Sequence, residues 1–112
     1  MDFDRAVEEF AKKIEEKLGN RLIYLVLYGS VSRGEAHEES DVDLLAVVRD
    51  EGAKEELFDI AAEFLKKGVL FSLIVSTPDK IGEDGFLDEV TKEGKVLYGS
   101  VKKVRERSQP GR

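Results

Sequence analysis

Apolar side chains recur at three- and four-residue spacing through Phe3, Val7, Phe10, Ile14 and Leu18, with charged residues between them. That period predicts an amphipathic helix, stopped near Gly19-Asn20. The next run, Leu22-Ile23-Tyr24-Leu25-Val26-Leu27-Tyr28, is almost continuously apolar and reads as a strand covered on both faces. It ends abruptly at Gly29-Ser30. A polar stretch, Glu35 to Ser40, separates it from a second buried strand, Val42-Asp43-Leu44-Leu45-Ala46-Val47-Val48, whose one acid stands at its start.

Helical spacing returns between Glu51 and Lys67 through Leu57, Ile60, Ala61, Phe64 and Leu65, with Gly68 as its stop. Val69 to Val75 reads as the third strand, and Thr77-Pro78-Asp79 as a turn or helix start. Phe86, Leu87 and Val90 predict a short helix before a small strand at Val96-Leu97-Tyr98. Strands alternating with helices over so short a chain predict an α/β (α+β) layered domain. No linker or low-complexity stretch divides it, so residues 1–100 are expected to form one domain and residues 101–112 a basic tail.

Size and composition narrow the classes. The 112 residues suffice for one modest core, and 41% hydrophobic content is too high for a disordered chain. No apolar run approaches the roughly 20 residues of a membrane span. The acidic start Met1-Asp2-Phe3-Asp4 lacks the layout of a secretion signal, and the absence of cysteine excludes disulfides and thiolate metal sites. A cytoplasmic protein is expected. The net charge is −6, yet five basic residues stand against Glu106 from Val101 onward, leaving residues 1–100 near −10. Such a body repels nucleic acid backbones. The tail could touch RNA or an acidic partner, but the simpler reading is a solvated terminal segment.

The candidate chemistry is Gly29-Ser30, ten residues, then Asp41-Val42-Asp43. A glycine after a buried strand lets a phosphate approach the backbone without a Cβ in the way. A helical turn starting at Ser30 would aim free N–H groups at the same point, and the hydroxyl adds a donor. Asp41 and Asp43 are two apart on a strand, so both carboxylates leave one face. Hard oxygen ligands of that kind suit Mg²⁺ shared with substrate phosphates. By itself Asp-x-Asp means little in so acidic a chain; the preceding Gly-Ser after a buried strand gives it weight. Leu27-Tyr28-Gly29-Ser30-Val31 recurs as Leu97-Tyr98-Gly99-Ser100-Val101, but Gly111 stands where the first copy has Asp41. The second copy reads as a strand end meeting a turn. His37, the only histidine, could transfer protons, although a loop histidine among glutamates is more often simply exposed.

Leu27 to Gly34, followed by Ser40-Asp41-Val42-Asp43-Leu44, resembles the polymerase β nucleotidyltransferase superfamily, and most of all its minimal bacterial and archaeal members. The resemblance implies a small mixed sheet with helices packed on it and a nucleotide cleft over the first two strands. It implies that Gly29 and Ser30 hold the triphosphate and that Asp41 and Asp43 bind catalytic Mg²⁺. Arg33 matches the motif arginine, which fixes the loop or a phosphate, or forms a structural ion pair. The implied activity is transfer of AMP from ATP to a hydroxyl, plausibly on a HEPN-type partner protein. The alternative is an antitoxin-like or nucleotide-sensing subunit that pairs with a HEPN ribonuclease without efficient catalysis. One departure stands out. The superfamily's third carboxylate belongs on the next core strand, where this chain has Ser72. Asp79 or Asp84 could replace it only if the following loop folds back, and each reads more simply as a turn residue.

Overall fold

A computed structural model of the chain describes residues 3–29, 41–81 and 85–107. Helix α1 (Phe3–Leu18) and a single 3-10 turn (Gly19–Arg21) lead into β1 (Leu22–Tyr28). Then come β2 (Val42–Val48), α2 (Glu51–Leu65), β3 (Phe71–Ser76), α3 (Pro78–Ile81), α4 (Phe86–Glu93), β4 (Lys95–Gly99) and α5 (Val101–Arg107). The four strands form one sheet in the order β3-β2-β1-β4. β1 is antiparallel to both β2 and β4, while β2 and β3 are parallel and joined through α2. The mixed α/β sheet expected from the sequence is therefore present. No helix among the described residues is long and apolar enough to cross a membrane.

Both faces of the central strands are covered, which explains their unbroken apolar runs. On one face, α1 and α2 pack over Leu25, Leu27, Leu44, Ala46 and Val48. Three rings lock this layer, Phe10 stacking on Phe71 with centroids 4.1 Å apart and Phe64 meeting both edge-on. On the other face, Leu87, Val90 and Val104 cover Tyr24, Val26, Leu45 and Val47. The Tyr24 hydroxyl is satisfied there by Thr91.

That second layer corrects one expectation. The segment from Val101 reads in sequence as a solvated tail, yet Val101–Arg107 is helix α5 and Val104 is fully buried. The repeated Gly-Ser pair makes this possible. Gly99 has φ +75°, and a Cβ on it would run into the Ile23 carbonyl, so only glycine turns the chain here. The Ser100 Oγ then accepts the Lys103 N–H at 3.3 Å, capping the helix. The second copy is a strand end meeting a turn, as expected, and the turn launches a core helix.

Ion pairs tie the layers together at the surface. Arg21 forks onto Asp50 (2.9 and 3.2 Å) and Glu56 (2.6 Å), while Asp50 also caps α2 by accepting the Ala53 N–H at 2.8 Å. Lys13 bonds Glu63 at 2.7 Å, joining α1 to α2. The Arg21 guanidinium holds the Asp50 carboxyl below the usual range, as Lys80 does for Glu51 and Lys13 for Glu63. Each contributes stability that is fully present above its unfolded value, about 4, and lost as pH falls through the lower folded value. These groups are exposed, so each effect is modest. Arg21→Ala should lower the melting temperature at neutral pH by a few degrees and flatten its decline below about pH 4. Superimposable melting-temperature curves for variant and wild type would show that the fork contributes nothing.

Candidate functional site

The polar end of the sheet is fixed by strand register. Tyr28 of β1 pairs with Asp43 of β2, and Asp43 pairs with Ser72 of β3. Register partners point to the same face, so the three side chains form one row across three strands. Val42 is fully buried among the α1–α2 layer, which directs its strand neighbour Asp43 to the opposite face. Asp41 is exposed just before the ladder begins, and Asp43 is half-buried. The Val42 N–H donates to the Leu70 carbonyl at 3.0 Å, anchoring this end of β2 to β3.

Gly29 closes the row from the side of β1. Its φ is +76°, and a Cβ placed on it would lie only 3.0 Å from the Asp43 Cγ and closer still to Oδ2. The glycine backbone therefore lies directly against the carboxylate, with no side chain between. Tyr28 forms the inner wall and, like Ile81 and Val101, packs against the margin of the second core layer. Burial pushes its phenol up, and the Asp43 carboxylate adds to the shift. In sequence Tyr28 reads only as the last residue of a strand covered on both faces. Its position beside Gly29, on the face that alternation gives Asp43, was the available signal.

Other expected residues fall differently. Ser30, Arg33, His37 and Asp84 lie outside the described residues. Ser72 is exposed beside Asp43, on the strand and at the position where the resemblance implies a third acid. Asp79 accepts the Thr77 hydroxyl at 2.6 Å, which holds its carboxyl below the usual range. It serves its own turn. Among the described residues, no group of three or more acidic, histidine or cysteine side chains is placed to hold a metal. A groove of about 360 Å³ runs between α1 and β4, lined by Glu8, Lys12, Lys95 and Leu97 among others. Leu27 also lines it, which puts it on the α1 face, opposite the row that carries Asp43.

Comparisons with known proteins bear on family and fold. The family described as "Polymerase beta, Nucleotidyltransferase" matches residues 11–103. The Methanocaldococcus jannaschii protein named "Putative protein adenylyltransferase MJ0604" is 31% identical over 102 residues, covering 88% of this chain and 100% of that protein. A toxin-antitoxin crystal structure with AMP-PNP superposes with a TM-score of 0.59 at 22% identity, over 90% of this chain and 80% of that one. A Shewanella oneidensis complex of a tri-AMPylated HEPN toxin with its MNT antitoxin gives 0.51 at 17% identity, over 90% and 79%. At those identities the structures speak for the fold alone.

The Gly29–Asp43 approach generates a direct test. Gly29→Ala must both adopt a left-handed backbone and displace the carboxylate. It should lower the melting temperature and weaken divalent-metal binding at least tenfold by calorimetry. Wild-type metal affinity in a folded Gly29→Ala protein would show that Asp43 does not depend on this contact.

Proposed function

The chain belongs to the polymerase β nucleotidyltransferase family and is a nucleotidyltransferase, and we propose that it transfers AMP from ATP to a hydroxyl on a partner protein. The observation that carries this reading is the Gly29 backbone lying against Asp43, with Asp41 exposed immediately before the start of β2. A triphosphate laid over Gly29 would have no Cβ in its way, and Ser30 would add a hydroxyl donor. Asp41 and Asp43 supply the two oxygen ligands that Mg²⁺ usually takes from protein, leaving its other positions to water and phosphate. The ion would steady the charge that develops on the phosphates. Arg33 is assigned to the motif loop or to a phosphate. The cytoplasm, with its ATP, is the fitting compartment.

In the transfer, the acceptor oxygen bonds to the α-phosphorus while the bond to the bridging oxygen of the β-phosphate breaks, releasing pyrophosphate. The hydroxyl proton must pass to a base. Ser72, a neutral hydroxyl beside Asp43, cannot take it at neutral pH, so the acceptor protein is assigned that role. A HEPN-type partner fits the company of the structural relatives, one of which pairs an MNT antitoxin with a tri-AMPylated HEPN toxin. The second reading, an antitoxin-like or nucleotide-sensing subunit that binds ATP without efficient transfer, is favoured by the same serine.

Calorimetry should show that Asp41→Asn/Asp43→Asn loses metal-dependent ATP binding while its far-UV spectrum and cooperative melting persist. Undiminished affinity would move the nucleotide site elsewhere. Labelled ATP separates the two readings of function. The isolated chain should transfer little label, and adding a HEPN-type partner should produce labelled partner. Strong labelling of a small molecule by the chain alone would refute the protein-acceptor reading, and ATP binding with no transfer to any partner would favour the sensor. Ser72→Asp should raise metal affinity and transfer if its register position beside Asp43 matters.

A further inference from the structure

The large apolar side chains exposed among the described residues are Phe58, Leu65, Leu70, Ile74 and Val96. All but Val96 surround one feature, the outer edge of β3, which pairs with no further strand among the described residues. Glu56 and Glu63 face α1 and its flank through Arg21 and Lys13. Phe58 and Leu65 lie two residues further along, about 200° around the helix, and so on the flank beyond the sheet edge. Between them the flank carries only Ala61 and Ala62. On the other face of the sheet, Leu70 and Ile74 flank Ser72 by alternation along β3.

We propose that this edge is the interface of a symmetric dimer, in which β3 pairs antiparallel with β3 of a second copy and α2 packs on its counterpart. The argument is self-complementarity, which a two-fold interface requires. The Phe64 and Phe71 rings meet edge-on at 5.4 Å, placing those residues at one level along the strand. The midpoint of Phe58 and Leu65 lies about 4 Å from that level along the helix. Ser72, the midpoint of Leu70 and Ile74, lies about 3 Å from it along the strand, in the same direction, because α2 and β3 run oppositely. One axis through Ser72 therefore serves both faces. It sets Phe58 against Leu65 of the second copy, Leu70 against Ile74 of the second copy, and the small alanines between the helices. Strand pairing at about 4.8 Å brings the two α2 axes to about 10 Å, the spacing of packed helices.

Charge points the same way. Glu51 is already paired with Lys80 of its own chain, but Glu55 stands near the start of α2 and Lys66 and Lys67 follow its end, so antiparallel helices bring Glu55 of each toward the basic end of the other. The arrangement also gives a reason for the serine. On the axis, position 72 faces its own copy, and an acid there would oppose an identical acid at close range. That last point rests on the site reading above; the dimer does not.

Sedimentation of the full chain tests the proposal without reference to activity. Wild type should reach twice the 12.6 kDa chain mass in the micromolar range. Phe58→Glu/Leu65→Glu should sediment as a monomer, and Val96→Glu, on the far edge, should leave the dimer intact. Glu55→Lys should weaken association, and adding Lys66→Glu should restore it. In metal-free buffer, Ser72→Asp should weaken it at least tenfold. Because the chain has no cysteine, Ala62→Cys should cross-link to a covalent dimer on oxidation, a readout that does not depend on the apolar variants folding. A wild type that is monomeric throughout, as expected if the edge serves a different protein, would overturn the proposal. So would a dimer that survives Phe58→Glu/Leu65→Glu, or an Ala62→Cys protein that forms no cross-link.

Discussion

Strands β1 and β2 are buried on both faces, and charge can appear on them only at their ends. Between Leu22 and Leu27, and again between Leu44 and Val48, no position tolerates a carboxylate without leaving it unpaired in the core. Asp43 sits at the first point where the second layer gives way to solvent, half-buried beside Tyr28. The location of the site is therefore a consequence of how the helices cover the sheet. α4 and α5 cover one end of this face, and toward the other end the row from Tyr28 to Ser72 runs from half-buried to exposed.

Much of this was legible in the sequence because the signals were strong and local. The apolar runs fixed β1 and β2, and β3 differs from its expected range by two residues at one end and one at the other. The family resemblance points to Ser72 as the place of the missing third acid, and the register sets that residue beside Asp43. The helix after Val101 was hidden because its only apolar residues are Val101 and Val104, among five charged ones. A helix held by a single fully buried side chain has almost no periodicity to detect. Strand order was equally invisible, since β4 joins β1 from the far end of the chain.

The repeated Leu-Tyr-Gly-Ser-Val segment shows how far local sequence can go. Both glycines end a strand in the left-handed region, with φ of +76° at Gly29 and +75° at Gly99. The first backbone presses on a carboxylate, the second on the carbonyl of Ile23. Identical local chemistry makes a candidate phosphate cradle in one place and a structural corner in the other. What separates them is the neighbouring strand. Asp43 reaches Gly29 from β2, whereas β1 offers Gly99 only its own main chain.

The position of Ser72 joins the chemistry to the assembly. It stands on the last strand of the sheet, so whatever lies beyond β3 lies beside the site as well. A third carboxylate on an edge strand would face solvent or a neighbour, and beside Asp43 and Asp41 it would add a third negative charge to a body already near −10. Without it, this end of the sheet has less self-repulsion and an apolar rim intact on both sides of Ser72. The cost falls on proton transfer, which needs a base from elsewhere. In the transfer proposed above, the base and the hydroxyl are most simply delivered together, on the acceptor protein.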